Sequence, residues 1–162
     1  MPSAYTSNTG IEKPATGEQS GTWGDTTNTN FDIIDTALNG VVTLSLSGAS
    51  STLTTTDGTV TDGMNKVVVC SGSPSGTHTI TVAPNSAEKI YFVTNSSGES
   101  VIFSQGTGAN VTIANGESRI IHCDGAGSGA AVTDFSSTMA ASTTFISNTA
   151  DGNATALAIA LG

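Results

Sequence analysis

Between Val41 and Phe135, apolar side chains recur at every second position in short runs, and turn-forming residues separate the runs. That period fits strands with one buried face and fits no helix, because successive strand side chains point to opposite sides. Val42, Leu44 and Leu46 alternate with Thr43, Ser45 and Ser47, and His78, Ile80 and Val82 share one face before Pro84-Asn85. Lys89 to Val93, Val101 to Phe103, Asn110 to Ala114, Ser118 to Cys123 and Ala131 to Phe135 continue the series. Ser51 to Thr56 is a polar strand suited to an edge or a subunit contact, and Asn65 to Cys70 is apolar enough for burial on both faces. Asn115-Gly116 predicts a type I′ turn that pairs 110–114 antiparallel with 118–123. Asn95 to Gly98 reads as a hairpin-like loop into Val101. The expected fold is all-β: an antiparallel sandwich or open barrel of about eight short strands.

Composition agrees. Serine and threonine make up nearly a third of the 162 residues, and only 10% are charged. β-Branched Thr and Val suit a pleated surface. Thirteen acids face four cations, Lys13, Lys66, Lys89 and Arg119, for a formal charge of −9. No basic patch can be built from four cations, which argues against nucleic acid and against an anionic membrane surface. No apolar run reaches the roughly 18–20 residues that span a bilayer. The segment Met1 to Tyr5 has neither the basic nor the apolar region of a secretory signal, so synthesis in a cytoplasm is expected.

Ahead of the strands lies a different kind of segment, Gly17-Glu18-Gln19-Ser20-Gly21-Thr22-Trp23-Gly24, followed by Asn28-Thr29-Asn30 and an amphipathic run. Thr29 is placed to cap a helix, with Asp32 answering it as in a capping box, and Gly40 is placed to end it. Phe31, Ile34 and Leu38 fall on one face, flanked by Ile33 and Ala37. A helix of about ten residues is marginal alone, so it must pack on the β domain, on copies of itself or on another protein. The chain therefore divides into an extended arm (1–28), a short helix (29–40), a β domain (41–135) and an Ala/Ser/Thr-rich C-terminal segment (136–162). That last segment, with Thr144-Phe145-Ile146 and Ala154 to Leu161, reads either as an element exchanged between subunits or as a final strand.

Ile11-Glu12-Lys13-Pro14, Gly17 to Gly24 and Asn28 to Leu38 resemble the N-terminal segment of tail-fibre and related virion proteins of marine tailed bacteriophages. The resemblance covers about a quarter of the chain. The β region is similar in layout, though not in motif, to the compact β repeats of phage fibres. The resemblance implies a virion structural role, a homotrimer, and an N-terminal part nearest the particle. It implies no chemistry.

The residues themselves offer little chemistry either. His122 and Cys123 are neighbours on a strand and point opposite ways, so they cannot act as a nucleophile and base. Both His78 and His122 are expected to be structural. Glu88, Glu99 and Glu117 adjoin turns, and 5% aromatics leave little to line a sugar groove. Asp57, Asp62 and Asp124 each precede a glycine without the spacing of a calcium loop. Gly125 to Gly129 lacks the lysine and helix of a phosphate loop and reads as a flexible connection. Cys70 and Cys123 lack zinc spacing; a disulfide requires their strands to lie side by side, and cytoplasmic assembly favours buried thiols instead.

The expected function is a non-enzymatic virion protein, a short tail fibre or fibre adaptor, with no cofactor and no metal. It would assemble through Trp23, Phe31, Ile34 and Leu38 with copies of itself and with other tail or capsid proteins. Trp23 is either an interface anchor or a cap on the base of the β domain. The alternatives are a capsid decoration protein and a carbohydrate-binding module for a bacterial surface glycan.

Overall fold

The computed structural model describes residues 2–137. The arm is partly regular: β1 (Ala4–Tyr5) pairs antiparallel with β2 (Glu12–Lys13). A helix follows, α1 (Trp23–Asn39), then nine strands. These are β3 (Val41–Leu46), β4 (Ser50–Thr54), β5 (Val67–Gly72), β6 (His78–Ala83) and β7 (Glu88–Asn95). The last four are β8 (Val101–Ser104), β9 (Val111–Ile113), β10 (Ser118–Asp124) and β11 (Val132–Asp134).

The fold is β-rich, but its sheets are mixed, which corrects the antiparallel expectation. One sheet runs β11-β10-β7-β5-β3 and the other β4-β6-β8-β9. From β3 to β8 each connection carries the chain across to the opposite sheet. Strands β3, β5 and β7 therefore come to lie side by side and parallel, as do β4, β6 and β8. Only then does direction reverse: β9 runs antiparallel to β8, β10 to β7, and β11 to β10. Alternation in sequence reports which face of a strand is buried, and it is silent on which strand lies beside it.

Two predicted hairpins fail for this reason. The segments 110–114 and 118–123 flank Asn115-Gly116 yet belong to different sheets. Gly116 has a φ of 83°, but among the described residues no non-glycine residue has a positive φ. A type I′ turn needs two. The Glu117 N–H instead donates to the Ala114 carbonyl at 3.1 Å, and that of Gly116 to Asn95 at 2.7 Å. The loop after β7 likewise crosses between sheets.

The two sheets close on one core, to which every strand from β3 to β11 contributes: Leu46, Leu53, Val68, Ile80, Tyr91, Phe103, Ile113, Ile121 and Val132. The inward set on β6, His78, Ile80 and Val82, is fully buried as the alternation predicts, and β4 lies at a sheet edge. β5 is buried on one face only, since Val67 and Val69 are half-exposed. Cys70 and Cys123 are buried free thiols. They sit on β5 and β10, and β7 lies between those strands. The link through Gly125 to Gly129 is pinned: Asp124 Oδ1 accepts from the N–H groups of Ala126 and Ala131, both at 3.0 Å. Those bonds hold its carboxyl below the usual range. The expectations for Thr144 to Ile146 and Ala154 to Leu161 lie outside the described residues.

Candidate functional site

The helix starts at Trp23, earlier than the predicted Thr29. Gln19 supplies the carbonyl that receives the N–H groups of Thr22 (3.3 Å) and Trp23 (3.1 Å), so the winding begins in the turn before the tryptophan. Thr22 is the N-cap without a side-chain cap bond. Thr29 and Asp32 lie within the helix, so the capping-box expectation is corrected. Asp25 in the first turn favours this start, because a carboxylate there meets the positive end of the helix dipole. At the other end Gly40 closes the helix, its N–H donating to Thr36 at 2.8 Å. Its conformation is ordinary for any residue, but a Cβ there would lie 2.4 Å from the Thr36 carbonyl oxygen. Glycine is needed for space.

The helix turns two apolar faces to two environments. Ile33 is fully buried, and Ala37 borders a crevice formed with Met64, Asn65 and Tyr91 at the base of the β region. The stripe singled out from the sequence faces away: Phe31 is 61% exposed, Leu38 65% and Ile34 39%. Trp23 is 63% exposed, which removes its reading as a buried cap on the domain. It borders a depression of about 330 Å³ with Pro14, Thr16, Gly17 and Gln19 of the arm. Val41, at the start of β3, is also exposed. Phe31, Ile34 and Leu38 are thus spaced three and four residues apart, the seam pattern of helices that pack against one another.

Asn30 was invisible to sequence reasoning as anything but a polar helix residue. Its side-chain oxygen accepts from the Glu12 N–H at 2.9 Å, and its amide donates to the Glu12 carbonyl at 2.8 Å. This carboxamide stands in for a neighbouring strand and ties β2 to the helix. Elsewhere in the arm, Ser3 donates to Glu18 from both its N–H and its hydroxyl, each at 2.9 Å, holding that carboxyl low. Asn8 Oδ1 accepts from the Glu88 N–H at 3.0 Å. The arm is held against the domain by directed hydrogen bonds.

The histidines occupy separate places. His122 stacks on Phe135 at 5.2 Å between ring centres and meets Glu88 at 3.1 Å, while Cys123 points into the core. His78 is fully buried, with Nδ1 3.1 Å from the Gly48 carbonyl and Nε2 2.9 Å from Ser51 Oγ. A carbonyl only accepts, so Nδ1 donates to Gly48, and Nε2 shares a hydrogen bond with the serine hydroxyl. The arrangement fastens β4 and its preceding turn to β6. Burial pushes the thiols of Cys70 and Cys123 up to about 12, far from a reactive thiolate. Among the described residues no group of three or more His, Cys, Asp or Glu is placed to hold a metal ion.

Among the described residues, no helix is long and apolar enough to cross a membrane. Comparison with known protein families, curated proteins and solved structures finds none that matches this chain.

Proposed function

We propose that the chain is a non-enzymatic structural subunit that self-assembles through α1, and that it serves in the virion of a tailed phage as a short tail fibre or fibre adaptor. One observation carries the assembly reading: the helix buries Ile33 and presents Phe31, Ile34 and Leu38 outward at seam spacing. Large aromatic and aliphatic side chains exposed together typically mark an interaction surface. A homotrimer with a threefold helix seam suits the stripe, and Trp23 with the arm is left to meet another tail or capsid protein. The phage assignment rests on the resemblance of residues 11–38 to virion proteins. Antibody against the β region should label purified particles of the phage that encodes the chain, at the tail. Absence of the chain from particles would overturn the virion assignment.

A second reading, sugar recognition, has Trp23 as its most exposed aromatic among the described residues, with Tyr5 also exposed in the arm. A glycan array tests it directly, and specific binding abolished by Trp23→Ala would favour it.

A further inference from the structure

The two sheets differ on their outer faces. On β4, β6, β8 and β9 the outward residues in register are mostly hydroxyls: Thr52 beside Thr81 beside Ser104, and Ser50 beside Thr79, then Ile102 and Thr112. On the five-stranded sheet a row of apolar side chains crosses all strands instead. Val41 lies beside Val67, Val67 beside Phe92, and Phe92 beside Ile120. Phe135, just beyond β11, completes it by donating its N–H to Ile120 at 2.9 Å. Phe92, Val41 and Phe135 are exposed, as is Ile90 on the same strand face. Five strands at ~4.8 Å spacing make this row roughly 19 Å long. An outward face that needs only water would carry the hydroxyls of its counterpart.

We infer that this row is the contact face for a second copy of the same chain, continuing the interface that begins on α1. The inference rests on the self-assembly reading above. Val41 begins the row on β3, just past the end of the helix that carries the stripe. Only two residues separate it from Leu38, so the two Cα atoms lie within about 11 Å. The two apolar surfaces are therefore neighbours along the chain. Area points the same way. The helix stripe offers on the order of 350 Å² of apolar side chain, well below the ~800 Å² each partner gives a standard interface, and the row roughly doubles it.

Charge completes the case. The whole chain carries −9, which opposes association. Along the row Arg119 meets both Glu117 and Asp134, at 2.8 and 3.3 Å, and Glu88 lies 3.1 Å from His122 Nε2. The Arg119 cation lowers the repulsion like copies would meet at this end of the row.

Sedimentation velocity on the full chain tests this, comparing Phe92→Lys/Ile120→Lys on the row with Thr52→Lys/Thr81→Lys on the opposite sheet. The row variant should weaken association about 100-fold, as expected for loss of central apolar contacts. The opposite variant should leave it unchanged. A row variant that is folded by circular dichroism and assembles like the natural chain would overturn the inference while leaving the helix seam intact. That is also the outcome if residues 138–162 cover the row in place of a second copy. A natural chain that is monomeric throughout would remove both readings. Should the row variant fail to fold, the milder Phe92→Thr/Ile120→Thr decides: a folded variant that assembles as tightly as the natural chain would refute the contact.

Discussion

Phe31 and Ile33 stand two residues apart on the same helix and meet opposite environments, Ile33 fully buried and Phe31 61% exposed. Two helical positions are separated by about 200° around the axis, so one apolar run serves two surfaces. The inward one fixes the helix to the β region. The outward one is left for assembly.

That division predicts different losses. Ile33→Ala should cost about 2–4 kcal/mol, the usual penalty for emptying a buried aliphatic site. Phe31→Ser should change the stability of the unassembled chain by no more than about 0.5–1 kcal/mol while weakening association. Thermal unfolding at concentrations below assembly separates the two. Equal losses would contradict the two-faced helix.

Asn30→Ala removes both bonds to Glu12 and should free the arm. A loss of about 1–3 kcal/mol is expected locally, because the Glu12 backbone groups lose their partners. Protease cleavage within residues 6–20 should accelerate while the β region stays intact. An unchanged digestion pattern would show that other contacts hold the arm.

Lys89 is nine-tenths buried, and burial lowers its ammonium from 10.5 to about 8. The folded pKa lies below the unfolded one, so the stability tied to this group is complete above about 10.5. It is lost as pH falls to about 8, and the loss is constant below that. Lys89→Met should therefore stabilise the protein at pH 7, by at most roughly 3 kcal/mol, the equivalent of the full shift. The advantage should shrink towards pH 10.5 in denaturant titrations. A destabilised variant at pH 7 would mean that the amine makes compensating contacts.

Cys70 and Cys123 should resist alkylation at pH 8 in the folded protein, since burial lifts both thiols from 9.0 to about 12. Labelling should follow global unfolding and accelerate with denaturant. Because the folded values are raised, these groups favour folding fully below pH 9 and withdraw that support as pH rises towards 12. Fast labelling of either thiol in the native state would contradict its burial.

Much of the β region is legible in the sequence. Alternation placed Leu44, Leu46, Ile80 and Val82 inward, and turn residues located the strand ends. Partnership was illegible, because β5 reaches its neighbours β3 and β7 only after excursions through the other sheet. The true start of α1 was obscured by Thr29, whose capping signal is outcompeted by the turn through Gln19. The outward stripe was legible as a stripe, but only the folded chain shows that Ile33 alone satisfies the inner contact. Ile90 and Phe92 carried a signal that went unread: apolar residues alternate there with buried Lys89 and Tyr91, on a face where the rest of the chain places threonine.

The central claim is self-assembly through the helix, and the most direct test is the solution mass of the full chain beside Phe31→Ser/Leu38→Ser. The account predicts an oligomer, three copies for a fibre, that dissociates to folded monomers in the variant. A natural chain that is monomeric at every concentration, or a variant that assembles just as tightly, would contradict it.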